Sequence, residues 1–255
     1  MNTTDDINEL LTYDISGDGR SVRMHFKDVA GRAQQIDISL TCVNALMRTL
    51  PRTVQDVARE HYDDPDMMVT YPLGRHWAFF YQDRNAHVLT LSTPDEFSLS
   101  FALSEAQLRQ VGKTAPKTAD ELTDVELVGR EADSQDLVNY EPINDMPAIR
   151  ITFKQSDKTK QSLVFPIVCL VSLMMTLPAI NVAALRVQHK DPTLTIAYPV
   201  EHFEVLYGSN MNTRILTLKT LEGFSISYSM SETQQHDIGQ ANFSLSSTES
   251  PRLMH

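Results

Sequence analysis

Eight histidines, two cysteines and scattered carboxylates are the side chains here that could act as nucleophiles, general bases or metal ligands. Their spacing assembles no such centre. The chain has no HExxH, no CxxC and no GxSxG, and its nine glycines form neither a GxGxxG nor a phosphate-binding loop. Asp63, Asp64 and Asp66 crowd one stretch that could hold a cation or cap a turn. Arg23 and Lys27, with Arg150 and Lys154, alternate along two extended segments and form a possible contact for an anion or an acidic partner. No catalytic residue, cofactor site or metal site is expected, and the chain reads as a non-enzyme.

The elements that would position these groups occur twice. Shifted by 127 residues, positions 9–112 align with 136–239 without a gap, and 30 of the 104 pairs are identical. Unrelated chains would match at roughly 6% by composition. Matching blocks include Phe26-Lys27 with Phe153-Lys154, Thr49-Leu50-Pro51 with Thr176-Leu177-Pro178, and Leu89-Thr90-Leu91 with Leu216-Thr217-Leu218. The alignment also weakens the cation reading, because Lys190 and Thr193 stand where Asp63 and Asp66 do. Cys42 and Cys169 match too, and are expected as buried core thiols without a disulfide.

Alternation predicts a strand in which Val22, Met24 and Phe26 face inward, repeated by Ile149, Ile151 and Phe153. A second strand is expected near Gln35–Ser39. A helix from Thr41 to Glu60 follows, with a kink or break at Pro51. Strands are predicted at Met67–Tyr71, His76–Gln82, Val88–Thr93 and Phe97–Leu103, with a turn at Asp83 to Asn85. Ser104 and Gln107 make a capping-box pattern, and Gly112 is expected as a left-handed cap. The fold class is therefore α+β: two tandem copies of a ββ-α-ββββ-α domain, each an antiparallel sheet with a helix packed on one face, related by a pseudo-twofold. The domains are copy 1 at 9–112, an acidic linker at 113–135, copy 2 at 136–239 and a flexible tail at 240–255.

The helices differ where the copies otherwise agree. Copy 1 has Asn44, Arg48, Arg52, Gln55, Asp56 and Glu60 where copy 2 has Val171, Met175, Ala179, Val182, Ala183 and Val187. The second helix is thus apolar all round, which calls for cover on both faces. Either the chain itself or a partner supplies it. Ser162 to Leu185 runs for 24 uncharged residues, enough to cross a bilayer. The charged counterpart in copy 1 and the prolines at 166 and 178 argue against a membrane span.

The net charge of −11 disfavours a phosphate backbone or anionic lipid as the main partner. The N-terminus lacks the basic and apolar regions of a secretion signal, and a cytoplasmic location is expected. The leading expectation is a protein-interaction module (adaptor, assembly factor or neutralising partner) that meets a protein partner or forms a homodimer through the apolar helix face. No cofactor, nucleic acid or membrane enters that reading. The alternative is a small-molecule binding or sensing module, with its ligand between helix and sheet or between the copies.

Overall fold

The computed structural model describes residues 4–81, 86–117, 137–143, 146–154, 160–208, 210, 212–221 and 223–240. The expected turn at Asp83 to Asn85, the linker from residue 118 and the tail from residue 241 lie outside them. The first part of the chain forms β1 (Thr4–Ile15), β2 (Ser21–Asp28), β3 (Ala33–Ser39), α1 (Leu40–Tyr62), β4 (Tyr71–Pro72), β5 (Arg75–Tyr81), β6 (Ala86–Ser92), β7 (Ser98–Leu103) and α2 (Glu105–Val111). The second forms β8 (Leu137–Pro142), β9 (Ala148–Lys154), β10 (Lys160–Pro166), α3 (Ile167–His189), β11 (Ala197–Tyr207), β12 (Thr213–Thr220), β13 (Ser225–Ser231) and α4 (Glu232–Gln240). The protein is a mixed α+β structure.

Chain contacts gather these elements into two compact units, Met1–Met67 with Glu131–Leu194, and Met68–Arg130 with Thr195–His255. Each unit takes one piece from each half of the sequence.

The first unit holds a six-stranded sheet in the order β3-β2-β1-β10-β9-β8. Val22, Met24, Phe26, Ile149, Ile151 and Phe153 are buried, as their alternation requires. β1 joins the two pieces. Its first residues, Thr4 to Asp6, run parallel to Ser162–Val164 of β10, and from Ile7 onward it pairs antiparallel with β2. α1 packs against α3, β3, β8 and β9, while α3 packs against α1, β1, β2 and β10. Ser39 caps α1 by accepting the Cys42 N–H at 3.1 Å. The expected kink or break at Pro51 is not found as an interruption, since α1 and α3 each run as one 23-residue helix through Pro51 and Pro178. A proline in mid-helix removes one ladder bond, and burial of Leu46, Met47, Leu50 and Val54 on the same helix outweighs that loss.

The second unit holds the order β4-β13-β12-β11-β7-β6-β5. Its two end strands are consecutive in the chain, with only Leu73 and Gly74 between them. Leu73 N–H donates to the Ser229 carbonyl at 2.8 Å, and Gly74 N–H donates to Ser92 at 2.7 Å. One continuous strand therefore changes partner from β13 to β6, and the sheet closes on itself. A Cβ on Gly74 would come within 2.8 Å of the Pro94 backbone, so the crossing point needs glycine. β11 makes the same change, parallel to β7 over Ala197–Pro199 and then antiparallel to β12, with an irregularity between Val200 and His202.

α2 and α4 brace this sheet. Both begin with a reciprocal cap, Ser104 with Gln107 and Ser231 with Gln234. Gln107 Nε2 also donates to the Val200 carbonyl at 3.2 Å, and Gln234 Nε2 to the Leu73 carbonyl at 3.0 Å. Gly112 is not the expected left-handed cap. Its φ is −71°, and a Cβ there would lie 2.6 Å from the Gly239 Cα, while one on Gly239 would lie 2.5 Å from the Gly112 Cα. Glycine is required by the approach of two helix ends, not by backbone conformation.

Two further expectations are corrected. β1 and β8 were not anticipated, because charged and polar residues in TDDINELLTYD blur the alternation. One antiparallel sheet per sequence half does not form either, since β1 with β10, β7 with β11 and β4 with β13 are parallel ladders that join the halves.

The glycine contact makes a direct prediction. Gly112→Ala or Gly239→Ala will each destabilise the protein by about 1–3 kcal/mol in urea unfolding, the usual cost of overpacking a tight contact. Gly17→Ala, where an added Cβ meets nothing within 4 Å, will leave the midpoint nearly unchanged.

Candidate functional site

α3 contains all six residues of the apolar stripe. Val171, Met175, Val182 and Ala183 are half-buried, whereas Ala179 and Val187 are exposed. The neighbours of α3 within its unit supply part of the cover. The β1–β2 turn is one of them: Gln188 Nε2 donates to the Gly19 carbonyl at 3.0 Å. A Cβ on Gly19 would sit 2.4 Å from the Ala184 carbonyl oxygen. What stays open is the outermost line of the helix. Val168 is 79% exposed and Val187 38% exposed, with Ser172, Ala179 and Arg186 exposed between them. Val168 had not been singled out in the sequence, since its position precedes the long stretch of the stripe.

The corresponding side of α1 is charged. Arg48, Arg52, Asp56 and Glu60 are exposed, and Arg52 Nε lies 3.7 Å from Asp56 Oδ2. Polar side chains thus solvate the outer face of one helix, while the other presents valine and alanine to water.

The four basic residues of the proposed anion contact sit on the outer faces of β2 and β9. Arg23 makes two bonds to Asp37 of β3, at 2.7 and 3.2 Å, and Arg150 reaches Glu141 of β8 at 3.1 Å. The Asp37 carboxylate, by hydrogen bond and then by charge, holds the Arg23 guanidinium more basic than usual. Both arginines are therefore paired across neighbouring strands. Lys27 and Lys154 are exposed. Such pairing leaves little positive charge to recruit an anion.

Asp63, Asp64 and Asp66 shape a turn. Asp63 takes a left-handed φ of 50° at the end of α1, with its N–H on the Arg59 and Glu60 carbonyls, and Asp64 Oδ1 accepts the Asp66 N–H at 3.0 Å. Among the described residues no three His, Cys, Asp or Glu side chains gather in a way that could hold a metal ion. α3 is long and apolar enough to cross a bilayer by length and composition, and more than half of its apolar window is buried within the protein.

One open cleft of about 340 Å³ lies in the second unit, lined by Gln107, Gln110, Lys117, Glu201, Glu204 and Val205 among others. That is the lower end of the size that holds a small ligand, and such sites are mostly apolar with few polar groups. Here glutamines and carboxylates line an open trough.

The chain matches no family model, no curated protein and no solved structure.

Cys42 and Cys169 are buried and unbridged, and burial pushes the Cys169 thiol up to about 11. Because the thiolate is the reactive form, neither thiol will react quickly with a disulfide reagent at pH 8. Both will titrate after denaturation. A stoichiometric fast reaction in the native protein would place a thiol at the surface.

Proposed function

We propose that this protein is a non-enzymatic protein-interaction module that docks a partner protein on the outer face of α3. The exposed apolar line from Val168 through Ala179 to Val187 carries the reading. Exposed apolar side chains aligned on one helix face lose hydration when covered, which favours association. The sequence supports this by contrast: Thr41, Arg52 and Glu60 stand 127 residues before Val168, Ala179 and Val187, so α1 carries no equivalent line. A homodimer that pairs α3 with α3 is one form of the same contact.

The scaffold for this surface is a duplicated α+β element. The ungapped identity at an offset of 127 supports duplication, as do α1 and α3, which start and stop 127 residues apart. In the second unit a pseudo-twofold is supported by paired details. These are the contact of Gly112 with Gly239, the matched caps of α2 and α4, and the bonds Gln107–Val200 and Gln234–Leu73. In the first unit the strands run in the same order for both pieces, β3-β2-β1 and then β10-β9-β8, which supports side-by-side repetition instead. Enzymatic chemistry has no support in a site where titratable groups converge.

Charge on the exposed line tests the reading without disturbing the interior. Val168→Glu with Ala179→Glu will abolish self-association measured by light scattering, or capture of the partner, while the circular dichroism spectrum and melting temperature stay within error. Met175→Glu and Val182→Lys, at half-buried positions of the stripe, will weaken the same contact and also lower stability. If the exposed-line variant binds as tightly as the parent protein, α3 is not the contact.

A further inference from the structure

β5 and the second part of β11 correspond at an offset of 127, with Ala78 matching Val205, Phe79 matching Leu206 and Phe80 matching Tyr207. Their outer edges are finished differently. Along β11 the chain that leaves α2 is laid down as a parallel strap. Lys117 N–H donates to the Val205 carbonyl at 2.9 Å, Tyr207 N–H donates to the Lys117 carbonyl at 3.0 Å, and Lys117 lies opposite Leu206. Beneath that strap Val205 and Leu206 are 1% and 4% exposed.

β5 has no such cover. Among the described residues it pairs with β6 alone. Ala78, Phe79 and Phe80 are all only half-buried, and Trp77 is 39% exposed. An unpaired edge carrying two phenylalanines is a template for another strand, and natural proteins rarely leave such an edge open. Nothing protects it here: β5 itself contains no proline and no lysine.

The chain supplies a candidate of matching length and position. Lys117 stands five residues beyond Gly112, and Ser244 stands five residues beyond Gly239. From Ala241 to Ser247 the sequence reads ANFSLSS, uncharged, with Phe243 and Leu245 separated by a polar residue as strand alternation requires. Fifteen residues follow Gln240, more than a seven-residue strap needs.

We propose that Ala241–Ser247 adds to the outer edge of β5 as a parallel strand, with Ser244 opposite Phe79. In this register Ser244 N–H donates to the Ala78 carbonyl and Phe80 N–H donates to the Ser244 carbonyl. The C-terminal segment then does for β5 what Lys117 does for β11. The inference is independent of the α3 face.

Cysteine trapping in the full-length chain tests it, with Cys42 and Cys169 left buried in place. Phe79→Cys with Ser244→Cys puts two thiols opposite one another, within the Cα separation that a disulfide tolerates. Mild oxidation will close an intramolecular disulfide in the monomer, read by non-reducing electrophoresis and peptide mass mapping. Arg75→Cys with Ser244→Cys, displaced four residues along β5, will close far less. Equal closure of the two pairs overturns the register, and disulfide-linked dimers in place of closed monomers would give the edge to a second copy of the chain. Hydrogen exchange supplies a readout without cysteines. The Phe80 amide will exchange at least about tenfold more slowly in the full chain than in a chain ending at Gln240, as expected when an edge amide gains a partner. Equal rates in two folded proteins would remove the strap.

Discussion

Strand edges must be satisfied, and neither half of this sequence can satisfy its own. A backbone N–H or carbonyl left without a partner in a buried sheet forfeits about 1–3 kcal/mol. Each sequence half makes antiparallel hairpins internally, but it leaves the start of one strand and the side of another unpaired. The parallel ladders β1–β10, β7–β11 and β4–β13 fill those places with backbone from the other half. Parallel pairing cannot be reached through a tight turn. It is reached here by bringing together segments more than a hundred residues apart, which is why the compact units cut across the order of the chain.

The change of partner within a single strand is the device that makes this work. Residues 71–81 serve β13 at one end and β6 at the other, and β11 serves β7 and then β12. At such a crossing the strand must bend away from one neighbour toward the next. Gly74 permits it by having no Cβ to strike Pro94, whereas β11 passes the matching point, Glu201, with a register irregularity. The two solutions differ in sequence yet meet the same geometric demand. Gln107 and Gln234 then fasten a helix start to a carbonyl beside each crossing, Val200 and Leu73.

Much of this was legible in the residues and some was not. Inward-facing sets such as Val22, Met24, Phe26 and Ile149, Ile151, Phe153 announce themselves because period-2 alternation is a local signal. The serine–glutamine caps were legible for the same reason. Pairing between distant segments leaves no local signal, so the parallel ladders and the exchange of strands between halves could not be read. β1 was missed because its charges interrupt the alternation. Gly112 was noticed at the right place and given the wrong cause, since a glycine that ends a helix and one that admits a neighbouring helix look alike in sequence. For the surface, the asymmetry between the two long helices was visible at once. Which members of the stripe are open was not, because cover comes from elements such as the β1–β2 turn, whose Gly19 meets Ala184 and Gln188.

The helix pair shows how divergence is confined by packing. Cys42 with Cys169, Leu46 with Leu173, Met47 with Met174 and Leu50 with Leu177 stay identical, and all eight side chains are buried. Interior positions tolerate few changes because volume and shape are fixed by their neighbours. The outer positions carry no such constraint, and there every charge of α1 has become valine, alanine or methionine in α3. A drift without selection would not favour apolar over polar residues at positions facing water, since exposing them gains nothing for the fold. Yet a single line of valine and alanine is narrow beside the roughly 800 Å² that each side of a stable interface usually buries. A partner held there must therefore engage polar residues flanking the line as well, such as Ser172 and Arg186, and those flanking contacts are what would fix its orientation.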